Sequence, residues 1–420
     1  MRILILYDKY STFTNTVFDH LDSFSEYSSA EVFYYQPGDD LSTVSLEYFD
    51  AVVIHYSLRI PLGQLTAELY HKLNLYAGLK VLFVQDEYDY TDTVRKAIHD
   101  LEIGLVFTCV PEKYIDTVYP SKEFTSTCFV NNLTGYIPAS LANEKRYSAI
   151  RDRPIFVGYR GRSLPFWYGD LGQEKFLIAQ FMKGECRRRA IASDIEWEDK
   201  NRIYGGKWVD FLSSCKATLG TESGSNVFDD SGKIREKVNE ILRRNSKANY
   251  AYVRKLVFGG ENEVLIMNQI SPRFFESIAL KTGLILYEGE YSGILEPYKH
   301  FIPLRKDHEN IDEVFQLLID DTYMQAMVDR AYEDIIESDK YSYSSFIKMV
   351  DSYISNAVGS CVQKSSILPP PPCFTVRPQR VRITRLRSGL TRVWSYIPYP
   401  LRNSFRPLAR RVAELVSRSD

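Results

Sequence analysis

The chain has 420 residues, with 45% hydrophobic and 25% charged side chains and a formal net charge of −2. That length allows two or three domains, and the balance excludes a disordered, collagenous or disulfide-scaffold protein. No window approaches the ~18 apolar residues of a membrane span, the start MRILILYDKY does not fit a signal peptide, and six scattered cysteines without CxxC spacing predict a reducing, cytoplasmic compartment.

Residues 2–8, RILILYD, form an apolar run closed by an acid, the pattern of a strand buried on both faces. A polar loop, KYSTFTNT, leads into a helical pattern around Val17, Phe18 and Leu21. Apolar runs at 31–35, 50–57, 80–87 and 103–111 continue as strands, with helices at 62–77 and 91–100 between them. Such alternation predicts a parallel sheet with helices on both faces. The polar stretch SLANEKRYSAIRDRP (140–154) reads as a linker. A second series starts at IFVGYRG (155–161) and runs through a helix near 173–182, RRAIASD (188–194) and a helix near 207–214. KATLGTES (216–223), a helix near 272–282 and the strand GLILYEG (283–289) complete it. Residues 224–266 are charged and irregular and read as an insertion, while 310–328 and 344–358 read as helices. The predicted fold class is therefore α/β: two Rossmann-like doubly wound domains, 1–150 and 154–340, facing a cleft at the carboxyl ends of their strands.

After Ser360 the composition changes. SSILPPPPC favours an extended spacer. From Lys364 onward there are 12 basic residues against 2 acids, interleaved with Trp394, Tyr396, Tyr399 and Phe405. Residues 360–420 thus read as a linker and a basic amphipathic tail. The stretch 375–418 suits an anionic membrane surface, where each basic residue is worth ~1 kcal/mol. Nucleic acid and a solvated tail are the rival readings.

Candidate chemistry gathers at strand ends. His55 closes AVVIHYS, and Asp86 and Glu87 close VLFVQDEYDY, so all three are expected to face the cleft, to hold an acceptor hydroxyl or act as base. His55 is equally a core histidine, and the two acids equally cap the helix near Thr91. In the second unit, the loop with Gly158, Arg160, Gly161 and Arg162 suits a diphosphate: glycines admit backbone amides and arginines neutralise charge. Lys207 is a weaker candidate for the same work. Glu222, in GTESG, is either a sugar-hydroxyl contact or an ordinary loop acid.

The stretch NQISPRFFESIALKTGLILYEG (268–289) carries the most. Ser271 suits an N-cap, Pro272 the first helical position and Gly283 the exit. Phe274, Phe275, Ile278 and Ala279 form one apolar arc, with Glu276 at its border and Arg273 further round. A helix start favours anions, Arg273 adds a fork donor, and the Glu276 carboxylate can accept two hydroxyls of a ribose. Glu276 is otherwise a surface acid steadied by the helix dipole. No GxxxxGK[ST], HExxH, GxSxG or paired Cys/His set occurs, so no metal site is expected.

SPRFFESIALKTGLILYEG resembles the carboxyl-half signature of bacterial-type, group 1-like GT-B nucleotide-sugar glycosyltransferases, and VGYRG resembles the first loop of that domain. The resemblance covers roughly 155–358; the amino half matches only in its strand–helix rhythm. It departs from the family where many retaining members carry a second glutamate, eight positions before Glu276, because Asn268 stands there. The resemblance implies a metal-independent, retaining transferase that needs no cofactor and takes a nucleotide-diphosphate sugar as donor. Glu276 would hold ribose, Arg160, Arg162 and Arg273 the diphosphate, and the helix at 341–359 would return to the first domain. A glycan or lipid-linked acceptor would lie on the amino side, with the enzyme cytoplasmic or peripheral on the inner face of the membrane. Two rivals remain: a nucleotide-sugar epimerase of the same plan, which needs no acceptor, and a non-catalytic nucleotide-binding protein held at the membrane.

Overall fold

Runs of Ile, Leu, Val and aromatic residues become fully buried parallel strands, because both sheet faces are covered by helices. The structure, a computed structural model, describes residues 1–36, 45–258, 267–359 and 374–381. The first sheet contains β1 (Arg2–Leu6), β2 (Glu31–Tyr35), β3 (Ala51–Ile54), β4 (Leu79–Val84), β5 (Leu105–Thr108) and β6 (Cys128–Asn131), in the order β2-β1-β3-β4-β5-β6. Every pairing is parallel. Ile3 and Ile5 enter one core, shared with α1 (Asn15–Tyr27), while Leu4 and Leu6 enter another, shared with α2 (Ala67–Leu75) and α3 (Thr91–Asp100). Two short helices, α4 (Ile115–Val118) and α5 (Ala139–Ala142), finish this lobe.

The second lobe begins with β7 (Ile155–Arg160), α6 (Gly169–Arg188), β8 (Ser193–Glu196), α7 (Gly206–Ser213) and β9 (Cys215–Gly220). Helix α6 runs through Arg188, and the chain turns at Ala190 (φ 53°), so the strand expected from 188 starts only at 193. The insertion holds β10 (Ser223–Ser225), α8 (Lys233–Arg244) and α9 (Tyr250–Val257), with β10 antiparallel to β11 (Met267–Gln269). It also reaches the first lobe: Tyr90 N–H donates to Asp229 O at 2.9 Å, Asp229 N–H to Tyr88 O at 2.9 Å, and Arg235 pairs with Asp89. Next come α10 (Pro272–Ala279), β12 (Gly283–Tyr287) and β13 (Ile302–Leu304), giving the sheet order β13-β12-β9-β7-β8. The segment read as one helix at 310–328 is two, α11 (Ile311–Ile319) and α12 (Asp321–Ala331). Asp320 parts them, because its side chain caps the N–H groups of Thr322 and Tyr323.

Helix α13 (Tyr343–Gly359) lies against α1. Its Phe346, Ile347, Val350 and Ile354 enter the first lobe's core, and Asp351 accepts from Ser28 Oγ (2.8 Å) and Ser29 N–H (2.7 Å). Residues 374–381, read above as part of a separate tail, instead pack on the first lobe, where Thr375 exchanges both backbone hydrogen bonds with Tyr34 at 2.8 and 3.1 Å. The proline run and the arginine-rich stretch bearing Trp394, Tyr396, Tyr399 and Phe405 lie outside the described residues. No helix among the described residues is long and apolar enough to cross a membrane.

Candidate functional site

The carboxyl ends of β7 and β9, the start of α10 and the loop after β1 enclose a cavity of about 390 Å³ between the lobes. Parallel sheets leave ligand sites at this edge because the loops, not the strands, supply the free polar groups there. Phe13, Thr14, Asn15 and Thr16 form the wall from the first lobe. The second lobe contributes Arg160–Arg162, Lys175, Arg202–Gly205, Trp208, Thr218–Thr221, Ser223 and residues of α10.

Helix α10 is aimed by its packing. Phe274, Phe275 and Ile278 are buried, and Gly220 admits the helix: a Cβ there would sit 2.3 Å from the Phe274 ring. Ser271 occupies the N-cap but makes no side-chain capping bond, so the helix start faces the cavity uncapped. The chain leaves the helix through Lys281 (φ 50°) rather than Gly283, which opens β12. Glu276 is half-buried and lines the cavity. Trp208 Nε1–H donates to its Oε2 at 2.7 Å, and its Oε1 makes no hydrogen bond among the described residues. Burial pushes the Glu276 carboxyl up, against the Trp208 bond and the Arg273 charge.

The phosphate candidates divide. Arg162 and Arg273 are exposed on the cavity, and Arg162 has no ionic partner among the described residues. Arg273 lies 5.3 Å from the Trp208 ring centre and donates to the Arg160 carbonyl. The Arg160 guanidinium is spoken for: it pairs with Asp194 at 2.7 Å, donates to two carbonyls at 2.9 Å and stacks on Phe211. It braces Arg273 through its backbone. Gly161 lines the cavity, but Gly158 does not. Gly158 lies inside β7, where a Cβ would stand 2.2 Å from Cys215 Sγ, so it serves packing instead of a phosphate loop. Lys207 is exposed and off the cavity wall.

Lys175 on α6 escaped the sequence reading. It lines the cavity with Nζ 3.3 Å from Ser223 Oγ, and burial, then the charges of Arg273 and Arg162, push its pKa down to about 8. A signal existed: Leu171, Lys175, Ile178 and Met182 share one face of α6, so the lysine interrupts an apolar stripe.

Glu222 is 7% exposed and off the cavity wall. Its carboxylate accepts the Tyr291 N–H at 2.7 Å and the Asn268 amide at 3.0 and 3.1 Å. The acid and the asparagine that separated in the sequence thus meet, and they join the ends of β9 and β11 to the loop after β12.

In the first lobe, His55 and Glu87 are fully buried, against the expectation that they face the cleft. His55 Nε2 lies 3.0 Å from His20 Nδ1, and its Nδ1 lies 2.9 Å from Ser57 Oγ. Burial lowers both histidines, so they stay neutral and share one hydrogen. Glu87 accepts from Thr108 Oγ1 and from Cys109 N–H at 2.9 Å, while its own carbonyl accepts the Thr91 hydroxyl. It holds β5 to the loop after β4. Asp86 is half-buried and lines a second cavity of about 270 Å³, which shares Phe13 and Thr14 with the first. Its carboxylate accepts from Tyr88 OH at 2.8 Å and lies 3.3 Å from Arg59.

No protein-family model matches the chain, and no curated protein is significantly similar in sequence. Among solved structures, an α-glucosyltransferase in complex with UDP-glucose and DNA containing an abasic site is similar, with a TM-score of 0.50 and 11% identity over 84% of this chain and 99% of its own. HepE from Anabaena in complex with UDP gives 0.48 at 11% identity, over 85% and 100% of the two chains. TarM gives 0.44 at 13%, over 74% of this chain and 55% of its own. With two Rossmann-like lobes facing a cleft, this chain has the GT-B fold of nucleotide-sugar glycosyltransferases.

Proposed function

We propose that the protein transfers a sugar from a nucleotide-diphosphate sugar to an acceptor hydroxyl. The observation that carries this reading is the charge of the cavity, where Arg162, Lys175 and Arg273 converge on a wall whose one carboxylate among the described residues is Glu276. In this reading the diphosphate lies among Arg162, Lys175, Arg273 and the uncapped start of α10. Charge builds on the diphosphate as the sugar–oxygen bond breaks, and cations fixed beside it stabilise that state without a divalent ion. Glu276, steadied by Trp208, accepts the ribose hydroxyls with its remaining oxygen. The acceptor enters from the loop after β1 and the second cavity, where Asp86 is the first-lobe candidate that remains available to it. Because the similar α-glucosyltransferase is in complex with UDP-glucose, uridine nucleotides are the first to try.

A thermal-shift and slow-hydrolysis screen over UDP-, GDP- and dTDP-sugars tests the reading. One family should raise Tm and release its sugar slowly, and Glu276→Ala should weaken that binding about tenfold, the loss of one or two charge-assisted hydrogen bonds. If no nucleotide sugar shifts Tm, the proposal fails.

A further inference from the structure

The polar loop after β1 supplies the first lobe's wall of the main cavity, and the backbone-to-backbone bonds within it are local: Ser11 N–H to Asp8 O at 3.1 Å, Thr12 N–H to Lys9 O at 3.2 Å and Thr14 N–H to Ser11 O at 3.4 Å. Lys9 N–H at the loop's start donates to Gln36 Oε1 at 2.7 Å, and further long-range anchors come from the far end of the chain. Gln379 N–H donates to Tyr7 OH at 2.9 Å, and Val381 N–H donates to Thr12 Oγ1 at 3.0 Å. The same Thr12 oxygen lies 3.0 Å from the Gln379 carbonyl, and Thr12 is fully buried beneath the strap. Arg380 donates to the side chain of Asn15, a cavity residue, and lies 4.6 Å from the Phe18 ring centre.

The strap is itself held to the sheet. Phe374 is buried with its ring 5.1 Å from Phe49, and Thr375 pairs with Tyr34 at the edge of β2. Arg377 adds an ion pair with Asp22 at 3.6 Å. The segment follows α13, which itself packs on this lobe, and its polar contacts reach both the sheet edge and the loop. Ordering it costs backbone entropy, towards which the burial of Phe374, the edge pairing and the contacts to the loop contribute.

We propose that residues 374–381 are a positioning strap that fixes the loop of residues 9–16, so that the cavity wall facing the second lobe is pre-shaped before any ligand arrives. Arg380 and Thr375 act through that loop and touch no reacting atom. A preformed wall lowers the ordering cost of ligand capture, so undocking the strap weakens binding more than it slows the chemical step. The kinetic part of this inference rests on the donor reading above; the structural part does not.

The test uses the full chain. Thr375→Pro removes the N–H given to Tyr34 and undocks the strap, whereas Arg380→Gln keeps both sheet anchors and Arg380→Lys restores a cation. Hydrogen–deuterium exchange should show amides 9–16 exchanging at least about tenfold faster in Thr375→Pro and about threefold faster in Arg380→Gln, with partial rescue in Arg380→Lys and unchanged amides in β4 and β5. The donor KM should rise severalfold in the same order with kcat within about twofold. Unchanged exchange at 9–16, with the strap free by limited proteolysis, would overturn the inference. So would a kcat loss with an unmoved KM. If wild-type protein binds no nucleotide sugar at all, the donor reading falls, and the exchange result alone decides the strap.

Discussion

Replacing Lys175 by alanine is expected to lower kcat/KM for the nucleotide sugar by about a hundredfold to a thousandfold, the usual loss when a fixed donor to developing charge is removed. The ammonium is carried by a twenty-residue helix, half-buried, and steadied by Ser223. Burial disfavours its charge and the neighbouring Arg273 and Arg162 repel it, which together push its pKa down to about 8. A diphosphate outweighs both effects by bringing opposite charge to within contact. The sign follows. Below pH 7 the free protein already holds the proton, so Lys175 adds no pH dependence there. Above about 8 binding must take up a proton, and affinity falls by up to about tenfold per pH unit. Lys175→Arg keeps a permanent charge and should flatten that limb. Calorimetry at about pH 8.5 in two buffers of different ionisation heat measures the proton directly; no uptake would remove Lys175 from the diphosphate.

The second large effect is structural. Arg153→Met should destabilise the second lobe by about 3–5 kcal/mol in chemical denaturation. Arg153 is 2% exposed, and no carboxylate pairs with it among the described residues. Its guanidinium donates to the carbonyls of Ser148 (3.1 Å), Cys215 (2.9 Å) and Leu280 (2.9 Å) and to Thr282 Oγ1 (2.9 Å). Burial lowers its pKa to about 10, which still leaves it charged at neutral pH. Replacing a buried ion by an isosteric apolar chain often stabilises, but only when its partners go too. Here three carbonyls would stay behind without donors, each costing about 1–3 kcal/mol. The Leu280 carbonyl lies at the end of α10, so the same change should loosen the helix that carries Arg273 and Glu276. A loss below about 1 kcal/mol would show that water replaces the guanidinium freely.

The strands were legible where burial on two faces demands continuous apolar runs, as in RILILYD and GLILYEG, and α3 was legible from its amphipathic spacing. β6 and β13 were not, because CFVN and IPL are short apolar stretches that the flanking residues do not extend into a longer apolar run, as they do for β3 and β5. Site residues followed a similar rule. Arg162, Arg273 and Glu276 could be placed because a strand end or helix start fixes where a side chain points. His55 and Arg160 could not, since their orientation depends on partners distant in sequence, His20 in one case and Asp194 in the other. Glu87 sits one residue beyond Asp86 and turns the opposite way, into the core. Lys175 was overlooked because a lysine in a helix is ordinarily solvated, and only the stripe around it marks this one as different.

The most direct measurement is a crystal structure of the full chain with UDP or whichever nucleotide the screen selects. The diphosphate should lie within hydrogen-bond reach of Arg162, Lys175 and Arg273, with a ribose hydroxyl on Glu276. Nucleotide bound elsewhere, or in that cavity with Glu276 turned onto protein groups alone, would contradict it.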